Sequence, residues 1–176
     1  METLRAGPLL LEPLVVAHAG AMFAVLRDPE LYRHLDYPPP PSIEHLQSVY
    51  AKLEARQSPD GSQRWLNWVV RPAGQQPVGY VQATVTLNRS AWVAYVLAKQ
   101  NWGAGYATLA TQSVMDHLQH SYAVEHFLAT VEVENQRSIG VLQRLGFAPA
   151  SASEASSHKL SATERLFVKW SCGGGS

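Results

Sequence analysis

The sequence lacks the features that mark disulfide-rich, cysteine-ligated and nucleic-acid-coating proteins. It has one cysteine, Cys172, which excludes an intrachain disulfide framework and a cysteine-rich metal site. It has no excess charge of one sign, because 14 lysine and arginine residues balance 14 aspartate and glutamate residues. Proteins that bind mainly a phosphate backbone carry a basic excess, so nucleic acid is not expected as a partner. The sequence contains no internal repeat.

An uninterrupted run of apolar residues is also missing. The segment 9–26 is rich in leucine, valine and alanine, but Glu12 and Pro13 break it early. A spanning helix needs about 20 apolar residues, and a secretory signal needs a stronger basic flank than Arg5 alone. The segment is therefore interpreted as part of the fold, with no membrane association, and we expect the protein to be cytoplasmic.

What the chain does contain is enough apolar material for a core. Its 176 residues are 46% hydrophobic, which predicts a single folded domain over residues 1–170, as a monomer or a homodimer. Residues 171–176 read Ser-Cys-Gly-Gly-Gly-Ser, a composition typical of a flexible tail or a cloning remnant.

Periodicity and turn signals divide the N-terminal half into alternating elements. A run of four prolines at 38–41 cannot continue a helix, and Ser42 is a typical N-cap for the helix after it. The patterns predict a strand over 4–11, a helix over 14–26, a helical stretch over 29–35, a helix over 42–53 and strands over 65–71 and 78–87.

The C-terminal half is predicted to form a mixed α/β sheet. Residues 91–98 are apolar at every position, which is typical of a central strand covered on both faces. Three strands in succession are followed by two that a helix connects, so antiparallel and parallel pairing are both expected. The predicted elements are a helix over 104–120, a strand over 127–133, a helix over 135–145 ended by Gly146, a loop over 150–157 and a strand over 164–170.

The segment Gln100-Asn101-Trp102-Gly103-Ala104-Gly105-Tyr106-Ala107 lies between the apolar strand and the following helix. Its glycines fall at a helix N-terminus, where unpaired backbone N–H groups and the helix dipole attract anions. The segment lacks the Gly-Lys-Ser/Thr ending of a nucleotide-triphosphate loop and the third glycine of a dinucleotide fingerprint. On its own, the pattern is equally compatible with a plain helix-start turn.

Two motifs in order make the interpretation more specific. Gln-x-x-Gly-x-Gly after an apolar strand resembles the pyrophosphate-binding motif of the GNAT superfamily of acyl-CoA-dependent N-acetyltransferases. About 30 residues later, Asn135-Gln136-Arg137-Ser138 and Leu145-Gly146-Phe147 resemble the Asn-x-x-Ser…Leu-Gly-Phe signature of its RimJ and RimL branch of ribosomal-protein N-terminal acetyltransferases. The resemblance extends to about residue 170. It implies a strand, two helices, three strands, a helix, a strand, a helix and two strands, with the central parallel strands splayed apart.

The resemblance also implies where acetyl-CoA, the acyl donor, would bind. Backbone groups of the central strand would hydrogen-bond the pantetheine arm, and one of its N–H groups would polarise the thioester carbonyl. Asn135 matches a residue that meets the pantetheine or its phosphate end, and it also suits a plain helix N-cap. No metal is implied. The implied binding residues are Val96, Leu97, Ala98, Gln100, Trp102, Gly103, Ala104, Gly105, Tyr106, Ala107 and Asn135.

The catalytic residues are less clearly marked. Ser138 matches a hydroxyl that would protonate the departing thiolate, although a first-turn serine at a helix surface is the plain alternative. Relatives often carry a glutamate where this chain has Trp92, and another where it has Leu109. Glu132 and Glu134 are the nearby carboxylates that remain. Glu132 is the candidate base because it could reach the cleft, although an ordinary solvated strand residue explains it equally well. Transfer of the proton through water is the other alternative.

The sequence thus favours an acetyl-CoA-dependent N-acetyltransferase in which a primary amine attacks the thioester directly. This hypothesis suits the lack of a nucleophilic cysteine or serine motif. The alternative is a non-catalytic acyl-CoA-binding or regulatory module on the same fold, suggested by Trp92. The amine acceptor stays open between peptide N-termini, polyamines, aminoglycoside-like compounds and aminoacyl conjugates.

Overall fold

The computed structural model describes residues 1–171, so the predicted tail at 171–176 lies almost entirely outside the described residues. Eight strands and five helices are present in that range. The strands are β1 (Leu4–Ala6), β2 (Leu9–Pro13), β3 (Gln63–Pro72), β4 (Gly79–Thr86), β5 (Ser90–Leu97), β6 (His126–Glu132), β7 (Ala148–Pro149) and β8 (Glu164–Trp170). The helices are α1 (Ala19–Leu26), α2 (Ile43–Leu53), α3 (Tyr106–Tyr122), α4 (Gln136–Arg144) and α5 (Ala152–Ser156).

All eight strands belong to one mixed sheet in the order β1-β2-β3-β4-β5-β6-β8-β7. Neighbouring strands are antiparallel except β5 and β6, which are parallel and are connected through α3. The meander β3-β4-β5, the helical crossover and the closing strand pair confirm the predicted mixed α/β fold with its parallel central strands. None of the helices within residues 1–171 has both the length and the apolarity that a membrane span requires.

Two apolar cores lie on the two faces of the sheet. On one face, α3 and α4 pack over the strands around Trp68 and Phe127, both fully buried. On the other face, α1 and α2 pack over β3 and β4, with Met22 and Val69 fully buried.

The N-terminal predictions are wrong in two details. The single strand expected over 4–11 is a tight hairpin, because Gly7 adopts a φ of +57° and reverses the chain between β1 and β2. The helix expected over 14–26 begins only at Ala19. A 3₁₀ turn over Val16–His18 precedes it, because β2 stays paired with β3 up to Pro13.

The loop expected over 150–157 contains the short helix α5. Ser151 caps this helix by accepting a hydrogen bond from the Glu154 N–H, while the Glu154 carboxylate accepts one from the Ser151 N–H. This reciprocal pair is the Ser-x-x-Glu capping box, whose residues are visible in the sequence. The predicted N-cap at Ser42 is confirmed, since its hydroxyl accepts the His45 N–H at 3.1 Å.

Gly79 permits the close approach of β4 to the end of β5. Its φ is +154°, and a Cβ atom there would lie 2.0 Å from the Val96 carbonyl oxygen. We expect Gly79→Ala to lower the free energy of unfolding by at least about 2 kcal/mol, through backbone strain and this overlap. Gly20→Ala is the matched control, because a Cβ there meets nothing within 4 Å and alanine favours the helix. Urea unfolding measures both, and equal stabilities would contradict this account of Gly79.

Candidate active site

A cleft opens where β6 leaves β5. Strand β4 stays paired with β5 as far as Leu97. Parallel pairing with β6 covers only Ser90–Trp92, and beyond Trp92 no strand among the described residues follows that side of β5. Ala94 is exposed, so the prediction that the strand is covered on both faces is wrong for its second half.

The backbone of β5 alternates between β4 and the cleft. The Ala98 N–H donates to the Val78 carbonyl at 2.7 Å. Because every second residue of an antiparallel ladder faces the same neighbour, Val96 also directs its backbone groups at β4. The backbone groups of Tyr95 and Leu97 therefore face the side that β6 has left. Their N–H groups are positioned to act as donors within the cleft.

The cleft has a volume of about 390 Å³ and brings together residues from both halves of the chain. It lies between β5, the start of α3, the start of α4 and the 3₁₀ turn over Pro29–Tyr32. The predicted site residues that line it are Val96, Leu97, Trp102, Gly103, Gly105, Tyr106, Ala107, Asn135 and Ser138. Those that do not line it are Ala98, Gln100, Ala104 and Glu132.

The glycine loop presents a row of backbone donors at the start of α3. Gly103 and Gly105 have φ values of +79° and +77°, and a Cβ atom at either position would meet nothing within 4 Å. The first helical hydrogen bond runs from the Leu109 N–H to the Gly105 carbonyl at 3.0 Å. The N–H groups of the first turn of α3 therefore have no acceptor in the helix itself. Free N–H groups at a helix N-terminus are suited to an anionic ligand.

Trp102 and Arg137 connect this loop to α4 across the cleft. The Trp102 indole N–H donates to the Leu97 carbonyl at 2.8 Å. The Arg137 guanidinium lies over the indole ring, 3.6 Å from its centre. Arg144 also lines the cleft, whereas Glu30 is the one carboxylate among its described lining residues. The balance of charge in the cleft favours an anionic ligand.

A pair of hydroxyl groups faces the cleft from β5 and α4. The Asn135 side chain caps α4 by accepting the Ser138 N–H at 3.1 Å, as predicted. The Tyr95 hydroxyl lies 2.8 Å from the Ser138 hydroxyl and 3.2 Å from the Ser138 carbonyl oxygen. Burial raises the pKa of Tyr95 to about 12, although the Ser138 hydrogen bond and the nearby Arg144 charge oppose the shift. Tyr95 therefore keeps its proton at neutral pH.

The opposite wall of the cleft carries Glu30 and His34. The Glu30 carboxylate binds the guanidinium of Arg33 at 2.8 Å and the ammonium of Lys99 at 3.3 Å. Hydrogen bonds from Arg33 and Lys99 hold the pKa of Glu30 below its usual range, so this carboxylate is a poor proton acceptor. Lys99 precedes the glycine loop, so its ion pair links the two walls.

The other residues considered for catalysis lie apart from this cleft. Glu132 ends β6 opposite Glu164, outside the set of residues that line the cleft. Trp92 lies in the paired half of β5 and packs edge-on against the His158 ring, with ring centres 5.0 Å apart. Leu109 is exposed on α3. The structure thus places no carboxylate in the cleft at the positions that stand for the glutamates of relatives.

The acetyltransferase (GNAT) domain family matches residues 8–148, which is most of the chain. The chain belongs to the GNAT acetyltransferase family. A curated relative, an uncharacterized N-acetyltransferase p20 of Bacillus licheniformis, is 25% identical over 149 residues, covering 84% of this chain and 83% of the relative. The predicted family is confirmed, and the chain is an enzyme of the N-acetyltransferase class.

Solved GNAT structures share the fold at low sequence identity. The acetyltransferase from Salmonella typhimurium that modifies the N-terminal serine of ribosomal protein L7/L12 superposes with a TM-score of 0.76 at 18% identity, covering 96% of this chain and 99% of the other. Spermidine N-acetyltransferase from Vibrio cholerae, solved with CoA and spermine, gives 0.75 at 17% identity, covering 93% and 95%. A RimL structure in complex with coenzyme A gives 0.79 at 19% identity, covering 96% and 98%.

Several residues of the cleft are not apparent from the sequence. Tyr95 lies inside an apolar strand, where a core position is the natural prediction, and Arg144 belongs to neither sequence motif. Arg137 stands within the second motif, but its stacking on Trp102 depends on how α4 packs. His34 belongs to none of the sequence motifs, and only the structure places it in the cleft wall. Only tertiary packing identifies these four residues.

Replacing Asn135 tests whether its side chain stabilises the start of α4, where Ser138 lies. We expect Asn135→Ala to lower the free energy of unfolding by about 1 kcal/mol, because the Ser138 N–H loses its acceptor. Asn135→Asp is the matched control, since aspartate caps a helix equally well and should keep wild-type stability. Thermal and urea unfolding measure both variants. An alanine variant as stable as wild type would contradict a structural role for the cap.

Proposed function

We propose that this enzyme transfers the acetyl group of acetyl-CoA to a primary amine, which attacks the thioester directly within a ternary complex. The observation that carries the proposal is the cleft itself. One end of the cleft is the glycine loop at the N-terminus of α3, and one wall of the cleft is the unpaired side of β5. A long anionic cofactor with an amide-rich arm matches both parts. The acceptor amine would enter from the wall that carries His34.

The pyrophosphate of CoA would bind the first-turn N–H groups of α3, with Arg137 and Arg144 supplying positive charge. The loop residues Gln100 to Ala107 would wrap it, although the side chains of Gln100 and Ala104 do not line the cleft. The pantetheine arm would lie along β5. Of the strand groups predicted to bind it, those of Leu97 face the cleft, those of Val96 and Ala98 face β4, and the Tyr95 N–H adds a donor.

The thioester would then lie where β5 and α4 face each other. A β5 N–H donating to the thioester oxygen stabilises the charge that develops there as the amine attacks. Ser138 lines the same stretch and would protonate the departing sulfur. A thiol is a tolerable leaving group at neutral pH, so this assistance is worth the low end of the usual range.

Ser138 is not arranged as a covalent nucleophile. An attacking serine needs a base beside it, but the partner of its hydroxyl is Tyr95, whose raised pKa keeps the phenol protonated at neutral pH, so it is not available to take the serine proton. Direct attack therefore predicts initial-rate lines that intersect when acetyl-CoA and amine are varied together. Parallel lines would indicate a covalent acetyl-enzyme and contradict the proposal.

Two groups are candidates for the base that takes the amine proton. Glu132 remains a proposal from the sequence, although its side chain does not line the cleft. His34 does line it, and the unprotonated nitrogen of an imidazole can accept a proton. The Glu30 carboxylate, which also lines this wall, is engaged in ion pairs with Arg33 and Lys99 and is a poor candidate for the base. Position therefore favours His34.

The alternative function is a non-catalytic acyl-CoA-binding module, and Trp92 in place of a glutamate is what favours it. The two functions differ in turnover. Thiol release from acetyl-CoA should accelerate with at least one class of primary amine, tested with free and N-blocked peptides, polyamines and aminoglycosides. Tight CoA binding with no turnover on any of these acceptors would support the module instead.

The charge of the glycine loop tests the CoA assignment. We expect Gly103→Asp to weaken CoA binding more than about tenfold relative to Gly103→Asn, because its carboxylate repels the pyrophosphate. Asparagine is the matched control, since both side chains tolerate a positive φ and both enter the same open space. Calorimetric titration of CoA measures the difference. Equal affinities of the two folded variants would show that the anion binds elsewhere.

The pH dependence of turnover distinguishes the two candidate bases. We expect His34→Gln to lose activity most near neutral pH and to recover partly as the pH rises, because free amine then accumulates without help. Glu132→Gln should show a smaller loss, since its side chain lies outside the cleft. The measurement is kcat/KM for the acceptor across pH. If Glu132→Gln shows the larger, pH-dependent loss, Glu132 is the base and the assignment to His34 is wrong.

A further inference from the structure

The Ser138 hydroxyl is bonded differently from an ordinary helix serine. Serines inside helices commonly donate their proton to the carbonyl one turn back. Ser48 in α2 does so, donating to the Glu44 carbonyl at 3.0 Å. Within residues 1–171, the Ser138 hydroxyl has no such bond, and its partner is the Tyr95 hydroxyl at 2.8 Å. Its proton is therefore not committed to its own helix.

The two hydroxyl groups allow two arrangements of their protons without moving a heavy atom. In one, Tyr95 donates to the Ser138 carbonyl at 3.2 Å and receives the proton of the Ser138 hydroxyl. In the other, Tyr95 donates to the Ser138 hydroxyl oxygen, and the serine proton is free to point into the cleft. A negative charge in the cleft favours the second arrangement, because it attracts the freed proton.

We propose that Tyr95 is a positioning residue for Ser138: it holds the serine hydroxyl at the cleft and donates a hydrogen bond to it, so that the serine proton points at the departing sulfur. This inference rests on the proposed function. The C–S bond breaks, its electron pair goes to sulfur, and sulfur takes the Ser138 proton. The attacking amine loses one proton to the base and solvent, and Ser138 regains one from solvent. Tyr95 keeps its own proton throughout.

The electrostatic surroundings of Tyr95 suit a donor. Burial raises its pKa to about 12, so its phenol stays neutral through the working range of an amine acetyltransferase. Ser138 is fixed from its backbone side by the Asn135 cap at 3.1 Å. Ser138 is thus held at two points: Asn135 accepts its backbone N–H, and the Tyr95 hydroxyl contacts its hydroxyl oxygen.

The test measures the pKa of the thiol of bound CoA, read from the ultraviolet absorbance of its thiolate. A hydrogen-bond donor at the sulfur lowers this pKa. We expect Tyr95→Phe to raise it by about one unit, the equivalent of a charge-assisted hydrogen bond. Ser138→Ala should raise it at least as much, and the double variant should match Ser138→Ala. With acetyl-CoA and an amine, Tyr95→Phe should lower kcat about tenfold with KM for acetyl-CoA unchanged.

Two further variants serve as controls. Tyr122→Phe removes a tyrosine hydroxyl at the far end of α3 and should change neither readout. Ser138→Thr keeps a hydroxyl and should retain most of the lowered thiol pKa. An unchanged thiol pKa in folded, CoA-binding Tyr95→Phe would overturn the inference. Equal shifts from Tyr95→Phe with and without the Ser138 hydroxyl would also overturn it, because Tyr95 would then act on sulfur directly. Failure of wild type to bind CoA would contradict the proposed function instead.

Discussion

The arrangement of the site depends on the unequal pairing of the central strand β5, which is hydrogen-bonded along its length on one side and only at its start on the other. Strand β5 stays hydrogen-bonded to β4 up to Leu97, while its pairing with β6 ends at Trp92. Unpaired backbone groups at a sheet interior are costly unless something binds them. Here they face a cleft, where an extended amide-containing ligand can take the place of the missing strand. Gly79 maintains this geometry by letting β4 approach the end of β5 closely.

The two ends of the cleft perform different tasks with different chemistry. At one end, the positive φ of Gly103 and Gly105 and the start of α3 present backbone donors to an anion. At the other end, the neutral hydroxyl groups of Tyr95 and Ser138 contact each other beside the first turn of α4. In the proposed complex, the loop N–H groups would bind the ionised part of CoA, and the two hydroxyl groups would face the bond that breaks. Binding of the cofactor and stabilisation of the transition state at the thioester would then depend on different groups.

Most features that depend on neighbouring residues could be predicted from the sequence, whereas features that depend on packing between distant residues could not. The N-caps at Ser42 and Asn135 and the glycine loop depend on neighbouring residues, and the structure has them as expected. The break at Gly7 and the helix α5 were local too, but their signals are short and compete with longer apolar patterns. The Tyr95–Ser138 contact joins residues 43 positions apart, so no local pattern reports it.

The central claim is that CoA occupies the opening between β5 and β6. Amide chemical-shift mapping of the ¹⁵N-labelled protein during CoA titration tests it most directly, because each backbone N–H reports separately. The account predicts the largest changes at Tyr95, Leu97 and the amides of 103–107, with β3 unaffected. Changes confined to the second cavity, which Trp92, His158 and Trp170 line on the paired half of β5, would contradict it.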